Sequence, residues 1–163
     1  GLAACLVALA ALLGRHRAGL DVLSGSSLFD MLSNEELAAI AQLASEVRVD
    51  AGHVLFEEGQ LGDSVFVLAQ GEVEVIRRDS TGTPKCIATL GPQQFFGEMS
   101  LIDKEYRSAT IKARTACELL HLTSEKLTAF RRIHRDGFTF IVINIARMLS
   151  ARLRDANDKL ARA

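Results

Sequence analysis

The sequence lacks any excess of charge: across 163 residues, 19 basic side chains face 20 acidic ones, for a formal net charge of -1. That balance excludes a protein that coats nucleic acid by bulk electrostatics. It also lacks a cysteine framework. Cys5, Cys86 and Cys117 are odd in number, far apart and outside any C-x-x-C pair. The thiols are expected to be small buried apolar groups in a reducing compartment, which favours a cytoplasmic location. The four histidines are isolated, so no metal site is expected. No internal repeat or low-complexity linker divides the chain. What is present, 48% hydrophobic and 24% charged residues, is the composition of one globular domain with a core.

Both ends read as helical. Residues 1–14, GLAACLVALAALLG, carry no initiator Met and no basic leader, and the apolar run stops at Arg15, too short to cross a bilayer. The expectation is a helix that packs in a core or against a partner, with the end of an upstream or membrane-linked element as the alternative. Residues 28–43 also have a helical pattern. Ser33-Asn34-Glu35-Glu36 reads as a capping box, and Leu37, Ile40, Leu43 and Ala44 share a face. Near the other end, Ser124 opens a segment with Leu127, Phe130 and Ile133 on one side, and Gly137 is expected to break it. A longer helix should run from about Phe138 towards Ala163, with Ile141, Val142, Ile145, Leu149, Leu153 and Ala156 as its apolar face. That stripe suits core packing, a movable lid or a dimer seam.

Between these helices the character changes. VRVD, HVLFEE, SVFVLAQ, EVEVIRRD, KCIATL, RSATIKAR and CELLHLT are short and rich in valine and isoleucine, and glycines such as Gly59, Gly71 and Gly91 separate them. Short strands at regular spacing with glycine turns predict an all-β barrel or jelly roll rather than a parallel βαβ sheet. STGTP after EVEVIRRD reads as a hairpin turn.

The chemistry concentrates in residues 95–111, FFGEMSLIDKEYRSATI. Gly97 permits a backbone path or a close approach that a side chain forbids. The single helical turn expected after it offers backbone N–H groups to an anion. Arg107 supplies a planar fork that matches two phosphate oxygens. Glu98 is an acceptor only, so a hydroxyl suits it better than a phosphate. Ser108 adds a second hydroxyl. An anion cradle, one cation and one hydroxyl acceptor suit a small sugar phosphate. The alternative is a surface ion pair between Glu98 and Arg107, worth about 0–1 kcal/mol.

The same residues resemble the phosphate-binding cassette of the cyclic nucleotide-binding domain family, whose members include catabolite activator proteins, regulatory subunits of cAMP-dependent kinase and cyclic-nucleotide-gated channels. The shared pattern is Phe96-Gly97-Glu98, Ser100-Leu101, then Arg107-Ser108-Ala109, and AGHVLFEEGQLGDSVFVLAQGEVEV upstream resembles the opening strands of that family. The resemblance implies a mainly β fold with flanking helices: an eight-stranded, jelly-roll-like β-roll with N-terminal helices and a long C-terminal lid helix. It divides the chain into an N-terminal helical segment over about residues 1–27 and the nucleotide-binding domain over about 28–163, with the roll at about 45–123 and the C-terminal helices at about 124–163.

By the same resemblance, Glu98 takes the ribose 2′-OH and Arg107 the cyclic phosphate. Gly97, Met99, Ser100, Ser108 and Ala109 complete the cradle. Val73, Leu90 and Phe96 line the base pocket; of the lid residues, Arg147 and Arg154 are candidates to touch the base by reach alone. Tyr106 stands where the family often has proline, so the end of the loop is expected to be less firmly pinned. Serine rather than threonine at position 108 favours cAMP over cGMP. The implied role is a non-enzymatic, cytoplasmic sensor that needs no metal. Its ligand moves the C-terminal helix and so controls an effector in the same polypeptide or in a protein partner. A homodimer is compatible with this, and no nucleic-acid-binding element follows the long helix. The alternatives are an interaction module with a silent pocket, or a truncated cyclic-nucleotide-responsive transcription regulator.

Overall fold

A computed structural model of the chain describes residues 1–103 and 106–163, excepting the side chains of His16 and Asp103. The loop residues Lys104 and Glu105 of the cassette-like stretch lie outside the described residues. Helix α1 (Leu2–Gly25) leads through a 3-10 turn (Ser27–Phe29) to α2 (Asn34–Leu43). Strands β1 (Ser45–Val49), β2 (Val54–Phe56), β3 (Ser64–Gln70), β4 (Val73–Arg78), β5 (Pro84–Leu90) and β6 (Phe95–Phe96) follow. A short helix, α3 (Met99–Asp103), precedes β7 (Thr110–Ala113) and β8 (Cys117–Thr123), and α4 (Ser124–Ile133) and α5 (Arg135–Arg162) close the chain.

The eight described strands form two four-stranded antiparallel sheets, ordered β1-β8-β3-β6 and β2-β7-β4-β5. Their sequences explain how they face. Phe66 and Leu68 of β3 point into the roll with Leu119 of β8, while Val65, Val67, Leu120 and Leu122 on the opposite face pack under the helices. Because the first sheet is covered on both sides, SVFVL and CELLHL read as nearly continuous apolar runs. β4 belongs to the second sheet and alternates, with Val73 buried and the Arg77 and Arg78 end exposed. The β4–β5 hairpin closes on Asp79, whose Oδ1 accepts from the Thr81 and Thr83 N–H groups and from the Thr81 hydroxyl.

The helical layer is one cluster. Leu23 of α1, Leu28, Phe29, Leu37, Ile40, Leu127, Phe130, Ile141 and Ile145 are all buried against the first sheet. Burying a side chain of this size contributes about 1.5–3 kcal/mol. Ser33 caps α2 as expected, with its hydroxyl accepting from Glu36 N–H and the Glu36 carboxylate accepting from Ser33 N–H. Asn144 ties α5 to the segment after α1 by donating to Leu28 O (3.0 Å) and Asp30 O (2.9 Å).

Several expectations need correction. Residues 28–43 are not one helix; the chain turns between Phe29 and Asn34, and Met31 there adopts φ 74°. The break between the last two helices falls at His134, not at Gly137. Gly137 lies inside the first turn of α5, where a β-carbon would run into the Glu36 carboxylate and the Phe130 ring. Ile133 is 80% exposed, and Val142 and Leu153 are exposed as well, so the core stripe of α5 is narrower than its apolar pattern. Only Cys117 is buried, while Cys5 and Cys86 are exposed. The apolar run is the first part of a helix that spans Leu2–Gly25, and residues 1–15 are exposed, so they do not pack in the core of this domain.

Candidate functional site

A cleft of about 340 Å³ opens between the β4–β5 hairpin, the segment after β6, and α5. Its polar end is built around Arg107, which is 6% exposed, and Glu98, which is 3% exposed. The strand order accounts for the convergence. β6 pairs with β3, which places Gly97 beside Ser64, and the run after Arg107 enters β7 in the opposite sheet. The segment before β7 is strapped by backbone bonds on both sides of Arg107: its N–H donates to Gln60 O (2.6 Å), and its carbonyl accepts from Gly59 N–H (2.8 Å). These bonds hold Arg107 itself; the end of the loop before Tyr106, where looser pinning was expected, includes Lys104 and Glu105, outside the described residues.

Protein acceptors hold the guanidinium in place. Nη1 donates to Ser64 O (2.9 Å), Gly97 O (3.2 Å) and Ser100 Oγ (3.1 Å), and Nη2 to Ser64 Oγ (3.1 Å). The Phe56 ring lies beneath it, 4.0 Å from Cζ to the centroid. Among the described residues, Nε and the second N–H of Nη2 meet no protein acceptor, so the fork retains an edge for an anion. Burial pulls the guanidinium below its ordinary pKa, and Asp63 and Glu98 pull it back up. An arginine stays cationic under these conditions.

Two glycines make the fit possible. Gly97 sits at φ 85°, and a β-carbon there would stand 2.7 Å from Arg107 Nη1 and 2.8 Å from Ser64 O. At Gly62 a β-carbon would overlap Ser100 Oγ and stand 2.6 Å from Arg107 Nε.

Glu98 does not pair with Arg107. Among the described residues its ion-pair partner is Arg152 of α5, with Nη1 to Oε1 at 3.2 Å. The ion-pair alternative from the sequence therefore fails: the two groups stay unpaired with each other inside one cleft. Ser100 accepts from Arg107 through its hydroxyl oxygen, so its own O–H proton remains to be donated. The Ser100 N–H is taken up by Gly97 O at 3.3 Å.

All seven residues proposed from the motif (Gly97, Glu98, Met99, Ser100, Arg107, Ser108 and Ala109) line the cleft, as do Leu90 and Phe96. Two others do not. Val73 is fully buried between the sheets, paired with Leu90 and Ala113, and its neighbour two residues on, Val75, lines the cleft instead. Arg147 is exposed away from the cleft, and Arg152 takes the place assigned to it. Helical phase accounts for the exchange. Arg152 lies seven residues, or about two turns, after buried Ile145, whereas Arg147 is rotated by about 200°.

Reasoning from the sequence also missed Ser64, Phe56 and Ile87. A bulge between Val75 and Ile76 brings Ile87 to the cleft: Val75 pairs with Ala88 and Ile76 with Cys86, so Ile87 is the extra residue. Ile87 and Ala88 both line the cleft, although they are successive residues of one strand.

The profile of the cyclic nucleotide-binding domain family matches residues 46–134, which contain this cleft's polar end. The chain belongs to the cyclic nucleotide-binding domain family. Among proteins similar to it is the cyclic AMP receptor protein of Thermus thermophilus, 34% identical over 85% of this chain. A solved cyclic nucleotide-binding domain from Methylobacillus flagellatus is 26% identical, with a TM-score of 0.78 over 91% of this chain and 84% of that one. The regulatory domain of Toxoplasma gondii PKA, co-crystallised with cAMP, is 26% identical, with a TM-score of 0.68 over 72% of this chain and 44% of that one. The chain spans 62% of the length of the Thermus receptor protein. The two antiparallel sheets with helices at both ends are the β-roll expected of this family.

Proposed function

We propose that the chain is a regulatory domain that binds cAMP and transmits its presence through α5. The observation that carries this reading is the state of the cleft: Glu98 and Arg107 are both buried, both face one cavity and do not neutralise each other. A cyclic phosphate meets the open edge of the Arg107 fork, with the Ser100 and Ser108 hydroxyls and the backbone at Gly97, Met99 and Ala109 around it. Glu98 accepts from the ribose 2′-OH. The apolar surface of Val75, Ile87, Ala88 and Leu90 takes the purine.

The coupling follows from Arg152. A 2′-OH that donates to Glu98 Oε1 competes there with the Arg152 guanidinium. Ligand thus changes the contacts of α5, and it shifts the helix only by its difference in affinity between the two arrangements. In this reading the domain performs no chemical step of its own and serves as a sensor for an effector in the same polypeptide or in a partner.

Calorimetric titration with cAMP, cGMP, 2′-deoxy-cAMP and 5′-AMP tests the reading. The expected order has cAMP tightest, the deoxy analogue weakened by loss of the Glu98 bond, cGMP weaker than cAMP, and 5′-AMP weakest. Heat of binding absent for every cyclic nucleotide would leave the roll as an interaction module with a silent pocket.

A further inference from the structure

The cleft leaves one large feature unused. Residues 1–14, Gly1 and the first part of α1, contain no polar side chain, and every one of them is exposed. Leu2 is 83% exposed, and Leu6, Val7, Leu9, Leu12 and Leu13 are all exposed. Leu2, Leu6, Leu9 and Leu13 fall on one side of the helix at coiled-coil spacing. The other sides do not match a coiled coil in water, which keeps charged residues outside its seam. Here those sides are alanines, Val7, Leu12, Cys5 and two glycines. A helix that is apolar all round needs an apolar environment all round.

The boundary of this surface is sharp. Arg15 and Arg17 follow it at once, and no acidic residue occurs before Asp21. Beyond them Leu20 and Val22 pack against the domain core, and Leu23 is buried within it. That end of α1 is therefore anchored to the protein, and the apolar end projects from it.

We propose that residues 1–14 insert as a helix into a lipid bilayer, with Arg15 and Arg17 at the headgroups and the β-roll on the cytosolic side. A bilayer covers every face of the helix at once, which a groove on a protein does not. The two arginines match the anionic cytosolic leaflet and the positive-inside preference. At about 1.5 Å per residue, the fourteen residues reach about 20 Å, two-thirds of a hydrocarbon core of about 30 Å. The proposal does not depend on the occupancy of the nucleotide cleft.

The chain contains no tryptophan, so Leu9→Trp gives a single reporter within the segment. Phosphatidylcholine vesicles with about one quarter phosphatidylglycerol serve as the probe. The expected result is a blue-shifted emission that brominated acyl chains quench, together with co-flotation of the full chain. Adding Leu6→Asp should weaken partitioning roughly a hundredfold, given the cost of a carboxylate within the hydrocarbon. Arg15→Glu with Arg17→Glu should reduce binding to anionic vesicles more than to neutral ones. Thermal melting of each variant confirms that the roll stays folded. Emission unmoved by vesicles overturns the proposal, whether sedimentation then gives a dimer, which assigns the face to a second copy, or a monomer.

Discussion

Arg107→Ala is the sharpest test of the cleft, because the structure gives the substitution two separable costs. Towards ligand, it removes the charged fork whose open edge consists of Nε and one Nη2 hydrogen. A hydrogen bond to a charged group is worth about 1.5–3 kcal/mol, so losing even one such bond to phosphate weakens cAMP binding by roughly 10- to 150-fold. Towards the fold, the same change strips donors from Ser64 O, Gly97 O, Ser100 Oγ and Ser64 Oγ. A buried acceptor left unpaired costs about 1–3 kcal/mol. For a domain of this size the melting temperature falls by roughly 2–4 °C for each kcal/mol lost. Calorimetry must therefore be run where circular dichroism shows the variant folded. Arg107→Lys separates the two costs, since it keeps the charge but not the planar fork. Its affinity should lie between wild type and alanine. A folded Arg107→Ala variant that binds cAMP as tightly as wild type would refute the assignment of Arg107 to the phosphate.

Arg152→Ala removes the competitor for Glu98, and the pair has an exposed arginine and a buried carboxylate (side-chain exposures 55% and 5%). An exposed pair is worth about 0–1 kcal/mol, so calorimetry should show cAMP binding up to about fivefold tighter, and a loss of tenfold or more would mean that Arg152 instead holds the ligand. His121 stacks on Phe66, and burial pushes its pKa below 6.5, assisted by Arg107 and Lys126 and opposed by Asp63. The folded state binds that proton less readily than the unfolded chain, so His121 lowers stability as pH falls from 6.5 towards the depressed value. Urea midpoints at several pH values should show a smaller acid-side decline for His121→Gln, and identical slopes would count against the burial argument. At the hairpin, the bonds from Thr81 and Thr83 and the nearby Lys85 hold the Asp79 carboxyl at about 2 rather than 3.8. Its contribution is present above the unfolded value and fades as pH falls through 3.8 towards 2. An NMR titration of Asp79 with a midpoint near the ordinary value would show that the turn is open in solution.

How far the sequence could be read depended on what each signal averages over. The strands were legible because β3 and β8 are covered on two faces and β4 on one, and these coverings leave different apolar periods. The capping box of α2 was legible because it is local, spanning Ser33 to Glu36. The cassette residues were legible because they lie in one short stretch, Gly97 to Ala109, whose pattern is local in sequence, and all seven line the cleft. Signals that pass through three dimensions were not. Ser64 serves Arg107 from 43 positions away, and no pattern around Ser64 announces it. Ile87 reaches the cleft through a bulge, and alternation assigns its side correctly only if the extra residue is already known. Val73 and Val75 share a face by alternation, yet depth along the roll divides them between core and cleft.

Arg152 is different, because the sequence did contain its signal. Ile141, Ile145 and Met148 trace one face of α5, and the next step of the same period is Arg152. Arg147 and Arg154 were favoured by reach alone, and both stand about half a turn from that face. Phase decides the matter because the helix is docked: Asn144 bonds to Leu28 O and Asp30 O, which fixes the rotation of α5 before the cleft is reached. The same anchoring bears on function. If cAMP releases Arg152 from Glu98 as proposed, the helix, still clamped at Asn144, would pivot about its buried end without leaving the domain. The exposed stretch beyond Arg152 would then swing furthest, and that is where a coupled effector would sense the change.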